Sequence, residues 1–100
     1  MAKNIPERAQ VVIIGGGIVG ASIAYHLTEL GWTDVVLLER HTLTSGTTWH
    51  AAGLVGQLRA THNMTRLAAY SADLYHRLEH DMGHPTGFKK VGSLSVADNS

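Results

Sequence analysis

Hydrophobic and polar positions in the first half of the chain form two short apolar runs around a helical repeat. The runs Val11–Ile14 and Val35–Leu38 are unbroken, which is typical of parallel strands buried on both faces. Between them a slim apolar face recurs at helical spacing, at Ala21, Ala24, Leu27 and Leu30, and Gly31 follows where a glycine is expected to end the helix. The pattern predicts a strand, a helix over about residues 18 to 30 and a second strand, which together make the βαβ unit of an α/β fold with a parallel sheet.

The second half of the chain predicts a loop, a longer helix and a third strand. Residues 41 to 56 are rich in Thr, Ser and Gly, which favour turns over helix or strand interiors. A helix is predicted over about residues 63 to 82, ended by Gly83 and Pro85. Its repeating positions are Leu67, Ser71, Leu74, Leu78 and Met82. Leu94 and Val96 alternate with serines and predict a strand over residues 92 to 97.

The composition is that of a globular protein and excludes several kinds of site. Hydrophobic residues make up 44% and charged residues 16% of the 100 residues. Lys and Arg together number 8, as do Asp and Glu, so the net charge gives no reason to expect binding to nucleic acid or to an anionic membrane. The absence of cysteine excludes disulfides and thiolate-ligated metals.

The N-terminal residues suggest a cellular location, and the small number of strands suggests a larger protein. Residues 1 to 10 are predicted to be a polar tail that lacks the features of a signal peptide or an organelle presequence, so a cytoplasmic protein is expected. The apolar stretch around residues 11 to 24 is broken by glycines and is too short to span a bilayer. Residues 11 to 100 supply few strands and little to cover them, which predicts the N-terminal part of a larger domain, with the substrate domain absent.

Three glycines between the first strand and the first helix predict a dinucleotide site of the Rossmann type. Gly15 allows the tight turn out of the strand, and Gly17 lets a pyrophosphate approach the backbone without meeting a Cβ. Gly20 lets the helix and the strand pack closely. The N–H groups of Ile18 and Val19 are expected to face the pyrophosphate, because free donors and the helix dipole favour an anion there.

An acidic residue closes the second strand, as such a site requires. The carboxylate of Glu39 can accept hydrogen bonds from the adenosine ribose and would repel a 2′-phosphate, which disfavours NADP. Glu39 can equally be a solvated residue at a strand end, and Arg40 can lie near the adenine or a phosphate or in solvent. These elements predict a dinucleotide but do not separate FAD from NAD.

The loop after the second strand carries a family resemblance. Its most specific part is the run Thr-Trp-His-Ala-Ala-Gly, within the segment Ser45, Gly46, Thr47, Thr48, Trp49, His50, Ala51, Ala52, Gly53 and Leu54. This segment resembles the dimethylglycine dehydrogenase and sarcosine dehydrogenase family, which are FAD-dependent amine oxidoreductases with the D-amino-acid-oxidase type of fold. The resemblance implies that Gly46 to Leu54 wraps FAD, that His50 is bonded to the flavin 8α-methyl carbon, and that Glu39 and Arg40 lie at the adenosine end.

The chemistry of the implied bond suits a histidine. An oxidised flavin can lose a proton from its 8-methyl group, and a neutral imidazole nitrogen can then add to that carbon. Without the resemblance, His50 would be interpreted as a loop histidine that only hydrogen-bonds the backbone. Ser45, Thr47 and Thr48 can donate to phosphate oxygens or merely stabilise turns, and Trp49 is expected to serve packing.

Three further histidines in the second half of the chain have the spacing of a possible metal site. His76, His80 and His84 are four apart, and two histidines at that spacing can share a metal on one helix face. His84 lies beyond Gly83, and no carboxylate motif of a metalloenzyme surrounds the three. They are therefore expected to lie on a solvated face, and no metal is expected.

The resemblance also implies an activity. The complete protein would oxidise and demethylate an N-methylated amino acid such as dimethylglycine or sarcosine, by hydride transfer to covalent FAD. Oxygen or an electron-transfer flavoprotein would accept the electrons, and tetrahydrofolate is a possible partner of a further region. The alternatives are another FAD-dependent amino-acid oxidase or dehydrogenase of this fold, or a non-catalytic regulatory relative that lacks the flavin-linking histidine.

Overall fold

A computed structural model describes residues 4 to 98 of the chain, so residues 1 to 3 of the predicted tail lie outside the described residues. Its elements are β1 (Val11–Ile14), α1 (Ile18–Glu29), β2 (Val35–Leu38) and α2 (His62–His80). The chain divides into two compact units, with the boundary after Ala52. The first contains β1, α1 and β2, and the second contains α2. The α/β class and the order of the elements are as predicted.

The first unit is a βαβ unit built on two parallel strands. β1 and β2 pair in register from Val11 opposite Val35 to Ile14 opposite Leu38. The side chain of Ile13 faces α1 and is only 8% exposed, while Val12 and Ile14 alternate with it onto the other face and are exposed. The predicted parallel strands are therefore confirmed, and α1 covers one face of them.

The packing face of α1 differs in part from the predicted one. Ala24 and Leu27 are half-buried, as the helical spacing suggested, but Ala21 and Leu30 are exposed. The buried residue of the helix is Gly20, because α1 approaches the sheet most closely at its first turn. The repeat identified the correct side of the helix but not the place of closest contact.

A Schellman motif ends α1, as the glycine after the helix predicts. Gly31 has a φ of +91°, a left-handed conformation that glycine adopts without strain. Its N–H donates to the carbonyl oxygen of Thr28 at 3.0 Å, and the N–H of Trp32 donates to that of Leu27 at 2.9 Å. These two bonds satisfy carbonyls of the last turn and lead the chain into β2.

The second unit is organised around α2. The helix begins after Thr61, whose hydroxyl accepts a hydrogen bond from the N–H of Met64 at 3.3 Å. It ends at His80, two residues before the predicted end. Ala72 is its buried residue at 4% exposure, whereas Leu67 and Met82, placed on the apolar face by the repeat, are exposed. The predicted helix is confirmed with shifted ends and a different contact centre.

The third strand predicted from the alternating pattern is wrong for this structure. Residues 92 to 97 have no strand assignment, and Leu94 and Val96 are exposed. Alternation marks a face but does not supply a neighbour, and a strand forms only where another backbone accepts and donates its hydrogen bonds. Among residues 4 to 98, the sheet contains β1 and β2 alone.

Two features of α2 bear on its surface. Arg77 donates from Nε to the carboxylate of Asp73 at 2.9 Å, which forms an i,i+4 ion pair on the helix surface. Exposed pairs of this kind contribute little to stability. No helix within residues 4 to 98 has the length and apolar character needed to cross a membrane.

Substitution of Gly20 by Ala tests the close approach of α1 to β1. A Cβ at Gly20 would overlap the carbonyl oxygen of Gly15, so we expect the free energy of unfolding to fall by roughly 1–3 kcal/mol. The measurement is chemical denaturation of the apoprotein. Gly56→Ala is the control, because its added Cβ would meet no atom within 4 Å. Equal stabilities of the two variants would contradict the packing.

Candidate cofactor site

The turn between β1 and α1 consists of glycines, so its backbone carries no side chains. Gly15 has a φ of +110°, which favours glycine, and its N–H donates to the carbonyl oxygen of Leu38 at 2.8 Å. Gly17 is the N-cap of α1 and has no side chain to cap the helix. The chain thus passes from strand to helix on three glycines, which leaves room for a ligand against the main chain.

The N-terminus of α1 presents donors of hydrogen bonds. The N–H of Ile18 donates to the hydroxyl oxygen of Thr48 at 3.0 Å. No acceptor within residues 4 to 98 is recorded for the N–H groups of Val19 and Gly20. Donors at a helix N-terminus, together with the helix dipole, favour an anion. The prediction that the N–H groups of both Ile18 and Val19 are free is therefore corrected for Ile18, because the Thr48 hydroxyl in the loop after β2 accepts its hydrogen bond.

The hydroxyl of Thr48 lies in the space in front of the N-terminus of α1. A Cβ placed on Gly17 would lie 2.9 Å from the Thr48 oxygen, so glycine is required for that oxygen to approach. An electronegative atom is thus accommodated where the motif predicts a phosphate oxygen. The bare backbone, the donors of Val19 and Gly20 and the close approach at Gly17 fit a diphosphate.

Gly16 is a site residue that the sequence analysis missed. Its N–H donates to Oε1 of Glu39 at 3.1 Å, and its carbonyl oxygen accepts from the N–H of Thr44 at 2.9 Å. A Cβ at Gly16 would lie 2.6 Å from Cδ2 of Leu43. The available signal was that the variable position of the glycine motif is itself a glycine, which indicates that neighbouring atoms enclose it.

Glu39 connects the end of β2 to the glycine turn. Its Oε1 accepts from Gly16, and its Oε2 accepts from the N–H of His41 at 2.7 Å. Those hydrogen bonds, from His41 first and then from Gly16, lower the pKa of the Glu39 carboxyl below its ordinary value. Each oxygen retains lone-pair capacity, so the carboxylate can still accept a ribose hydroxyl.

The loop after β2 is folded into successive turns that carry His50. Thr44 has a φ of +64°, which is rare for a β-branched residue, and its N–H is used to hold Gly16. Further along, the N–H groups of Trp49, His50 and Ala51 donate to the carbonyl oxygens three residues earlier, at 3.1, 3.1 and 3.3 Å. The side chains of Trp49 and His50 are exposed, which leaves the imidazole accessible.

Comparison with known families identifies the class of this chain. A protein-family model described as "FAD dependent oxidoreductase" matches residues 10–100. The chain belongs to this FAD-dependent oxidoreductase family. The glycine turn described above therefore lies in the part of the sequence that the family shares.

Relatives of known name support the same family. The chain is 54% identical over 93 residues to 4-methylaminobutanoate oxidase (formaldehyde-forming) of Paenarthrobacter nicotinovorans, covering 93% of this chain and 11% of that protein. It is 50% identical over 91 residues to the mitochondrial dimethylglycine dehydrogenase of Rattus norvegicus, covering 91% of this chain and 11% of that protein. The predicted resemblance to dimethylglycine and sarcosine dehydrogenases is therefore confirmed.

Two further matches bear on function and fold. The regulatory subunit of pyruvate dehydrogenase phosphatase from Mus musculus is 47% identical over 93 residues, covering 93% of this chain and 11% of that protein. The crystal structure of glycine oxidase from Bacillus cereus matches with a TM-score of 0.59 and 34% identity, covering 76% of this chain and 22% of that one. The chain thus spans about one ninth of the length of the three named sequence relatives, and its fold agrees with that of glycine oxidase.

The first unit of this family member brings together only part of the predicted site. At the glycine turn, Glu39 is bonded to Gly16, and the Thr48 hydroxyl is bonded to Ile18 and lies next to Gly17. Four predicted residues are exposed and have no recorded side-chain hydrogen bond to the turn: Arg40, Ser45, Gly46 and Thr47. Ala51 and Ala52 are also exposed, and Gly53 and Leu54 belong to the second unit. Their roles toward FAD stay predictions.

The histidines of α2 belong to the second unit. His76 and His80 are exposed, with ring centroids 4.3 Å apart, which agrees with the predicted solvated face. Among residues 4 to 98, no group of three or more His, Cys, Asp or Glu side chains is arranged to hold a metal ion.

Glu39→Gln tests the link between β2 and the glycine turn through its pH dependence. Because the folded-state pKa is lowered from 4.5, the carboxylate contributes stability above that pH, and the contribution is lost as the pH falls through the folded value. The unfolding free energy of the wild-type protein should therefore fall more steeply than that of Glu39→Gln below pH 4.5. The measurement is denaturation across this range.

Glu7→Gln is the control for this experiment, because Glu7 lies in the exposed N-terminal segment. It should follow the wild-type profile. A Glu39→Gln profile that stays parallel to the wild-type profile at every pH would show that the two backbone hydrogen bonds do not depend on the charge.

Proposed function

We propose that the complete protein is an FAD-dependent oxidoreductase that demethylates an N-methylated amino acid, with FAD covalently bound to His50. One observation carries this proposal: the hydroxyl of Thr48 contacts the N-terminus of α1, in the same series of turns that holds His50. The histidine therefore belongs to a segment that is anchored at the predicted diphosphate position.

Different residues of the first unit would bind different parts of the cofactor. The N–H groups of Val19 and Gly20 would bind diphosphate oxygens, and Gly17 would leave space for them. Glu39 would accept ribose hydroxyls while it stays bonded to Gly16. FAD, when bound, supplies the two-electron acceptor for a hydride, and the protein orients it and tunes it.

His50 would make the covalent link through one imidazole nitrogen. Forming the bond to the 8α carbon of a bound FAD would release one proton from the methyl group and one from the imidazole, together with two electrons. Dioxygen is the oxidant we assign: by taking up these electrons and protons it would give hydrogen peroxide. The exposed imidazole in the described loop is accessible for this reaction.

The substrate class is supported by the names of the relatives. 4-Methylaminobutanoate and dimethylglycine are both N-methylated amino acids, and each names an enzyme about half identical to this chain. We propose the same class here, with dimethylglycine or sarcosine as the first substrates to test. The one-carbon product would be released as formaldehyde or transferred to tetrahydrofolate, and oxygen or an electron-transfer flavoprotein would accept the electrons.

A non-catalytic regulatory role is the second candidate, because a regulatory subunit is 47% identical to this chain. The family resemblance implies that such a relative lacks the flavin-linking histidine, whereas His50 is present here. Covalent flavin and amine oxidation would favour the enzyme. The cytoplasmic location expected from the sequence stays a prediction.

Replacement of His50 by Ala tests the covalent link. The full-length wild-type protein should keep its yellow colour after acid precipitation, while His50→Ala should release all of its FAD and retain its fold. The measurements are the absorbance of the washed pellet and circular dichroism before precipitation. His41→Ala is the matched control in the same loop and should retain covalent flavin. Flavin that stays with the His50→Ala polypeptide would assign the link to another residue.

Gly17→Val tests the position of the diphosphate. The valine side chain would enter the space in front of α1, where its Cβ alone would lie 2.9 Å from the Thr48 hydroxyl oxygen, so we expect FAD to bind about tenfold more weakly, or ~1.4 kcal/mol. FAD titration of the full-length apoprotein measures this. Gly56→Val, at a glycine with open space around it, should bind normally. Unchanged affinity in Gly17→Val would contradict the assigned geometry.

A further inference from the structure

The contact between Thr48 and α1 links two segments that are far apart in sequence. Their separation is 30 residues, and the bond from the Ile18 N–H to the Thr48 oxygen is 3.0 Å long. Because Gly17 has no side chain to cap the helix, the hydroxyl of Thr48 takes the place of an N-cap oxygen. The first turn of α1 is therefore bonded to the loop after β2 through the side chain of Thr48.

The same residue also belongs to the turn that carries His50. The carbonyl oxygen of Thr48 accepts from the N–H of Ala51 at 3.3 Å, and the N–H of His50 donates to the carbonyl oxygen of Thr47 at 3.1 Å. Thr48 is half-buried, whereas its neighbours Thr47 and Trp49 are exposed. Within the turn, Thr48 is thus the residue whose side chain is bound to the rest of the unit.

We infer that Thr48 is a positioning residue for flavin attachment: its hydroxyl fixes the His50 turn against α1 so that the imidazole reaches the flavin methyl carbon. This inference rests on the proposed function of His50. A chain of two short hydrogen-bonded links, from Ile18 to Thr48 and from Thr48 to Ala51, restrains the backbone on both sides of the histidine. A well-oriented group reacts faster than a mobile one, because its orientational entropy is lost before the reaction.

A valine at position 48 removes the hydroxyl with little change of shape, and a serine retains it. In full-length apoprotein mixed with saturating FAD, we expect Thr48→Val to form covalent flavin at least about tenfold more slowly than wild type, with Thr48→Ser close to wild type. The rate is read from acid-precipitated flavin over time. Thr42→Val is the matched control in the same loop, since its exposed side chain makes no hydrogen bond recorded among residues 4 to 98, and it should react at the wild-type rate.

Two cofactor-independent readouts accompany the rate. In the apoprotein, amide hydrogen exchange at Ile18 should become faster in Thr48→Val and stay slow in Thr48→Ser. The free energy of unfolding shows whether the variant remains folded at the assay temperature. If Thr48→Val does not fold, Thr48→Ser and Thr48→Ala compared at lower temperature give the same contrast.

The outcomes separate this inference from the proposed function. Wild-type covalent flavin together with a slow Thr48→Val supports the inference. A Thr48→Val that binds FAD weakly but reacts at the wild-type rate once saturated overturns it and makes Thr48 a phosphate-binding residue only. A Thr48→Val that reacts normally with unchanged FAD affinity also overturns it. Absence of covalent flavin in the wild type contradicts the proposed role of His50 and, with it, this inference.

Discussion

The first turn of α1 lies against the end of β1 with no side chain between them. This contact is possible because Gly20 has no Cβ, which would overlap the carbonyl oxygen of Gly15. The helix therefore starts next to the strand. Of its N-terminal donors, the N–H of Ile18 is bonded to the Thr48 hydroxyl, whereas no acceptor among residues 4 to 98 is recorded for those of Val19 and Gly20. Everything that the site can do with an anion depends on this approach.

The loop after β2 uses the same turn as its anchor. The Glu39 carboxylate accepts a hydrogen bond from the N–H of Gly16, and the N–H of Thr44 donates one to the carbonyl oxygen of Gly16. The hydroxyl of Thr48 accepts a hydrogen bond from the N–H of Ile18. Three separate segments are thereby gathered around a few main-chain atoms, and the positive φ of Thr44 is a strained conformation that supports one of these bonds. Residues that the family resemblance assigns to the adenosine, diphosphate and flavin parts of FAD are thus attached to the same turn between β1 and α1.

The sequence predicted the local elements well, because their signals are local. Apolar runs predicted β1 and β2, helical spacing predicted α1 and α2, and Gly31 ended α1 as expected. The strand over residues 92 to 97 was wrong, because strand formation depends on a partner that alternation does not specify. Similarly, the bond from Ile18 to Thr48 spans 30 residues and has no sequence signature, and the family assignment came from the loop motif and not from the periodicity.

The most direct test of the central claim is amide hydrogen exchange of the full-length apoprotein with and without FAD. The N–H groups of Val19 and Gly20 have no recorded acceptor among residues 4 to 98, so bound diphosphate oxygens should slow their exchange markedly. Exchange at Gln10, whose N–H is already bonded to the Asp34 backbone and side chain, should change little. Saturating FAD that leaves Val19 and Gly20 unprotected would show that the diphosphate lies elsewhere.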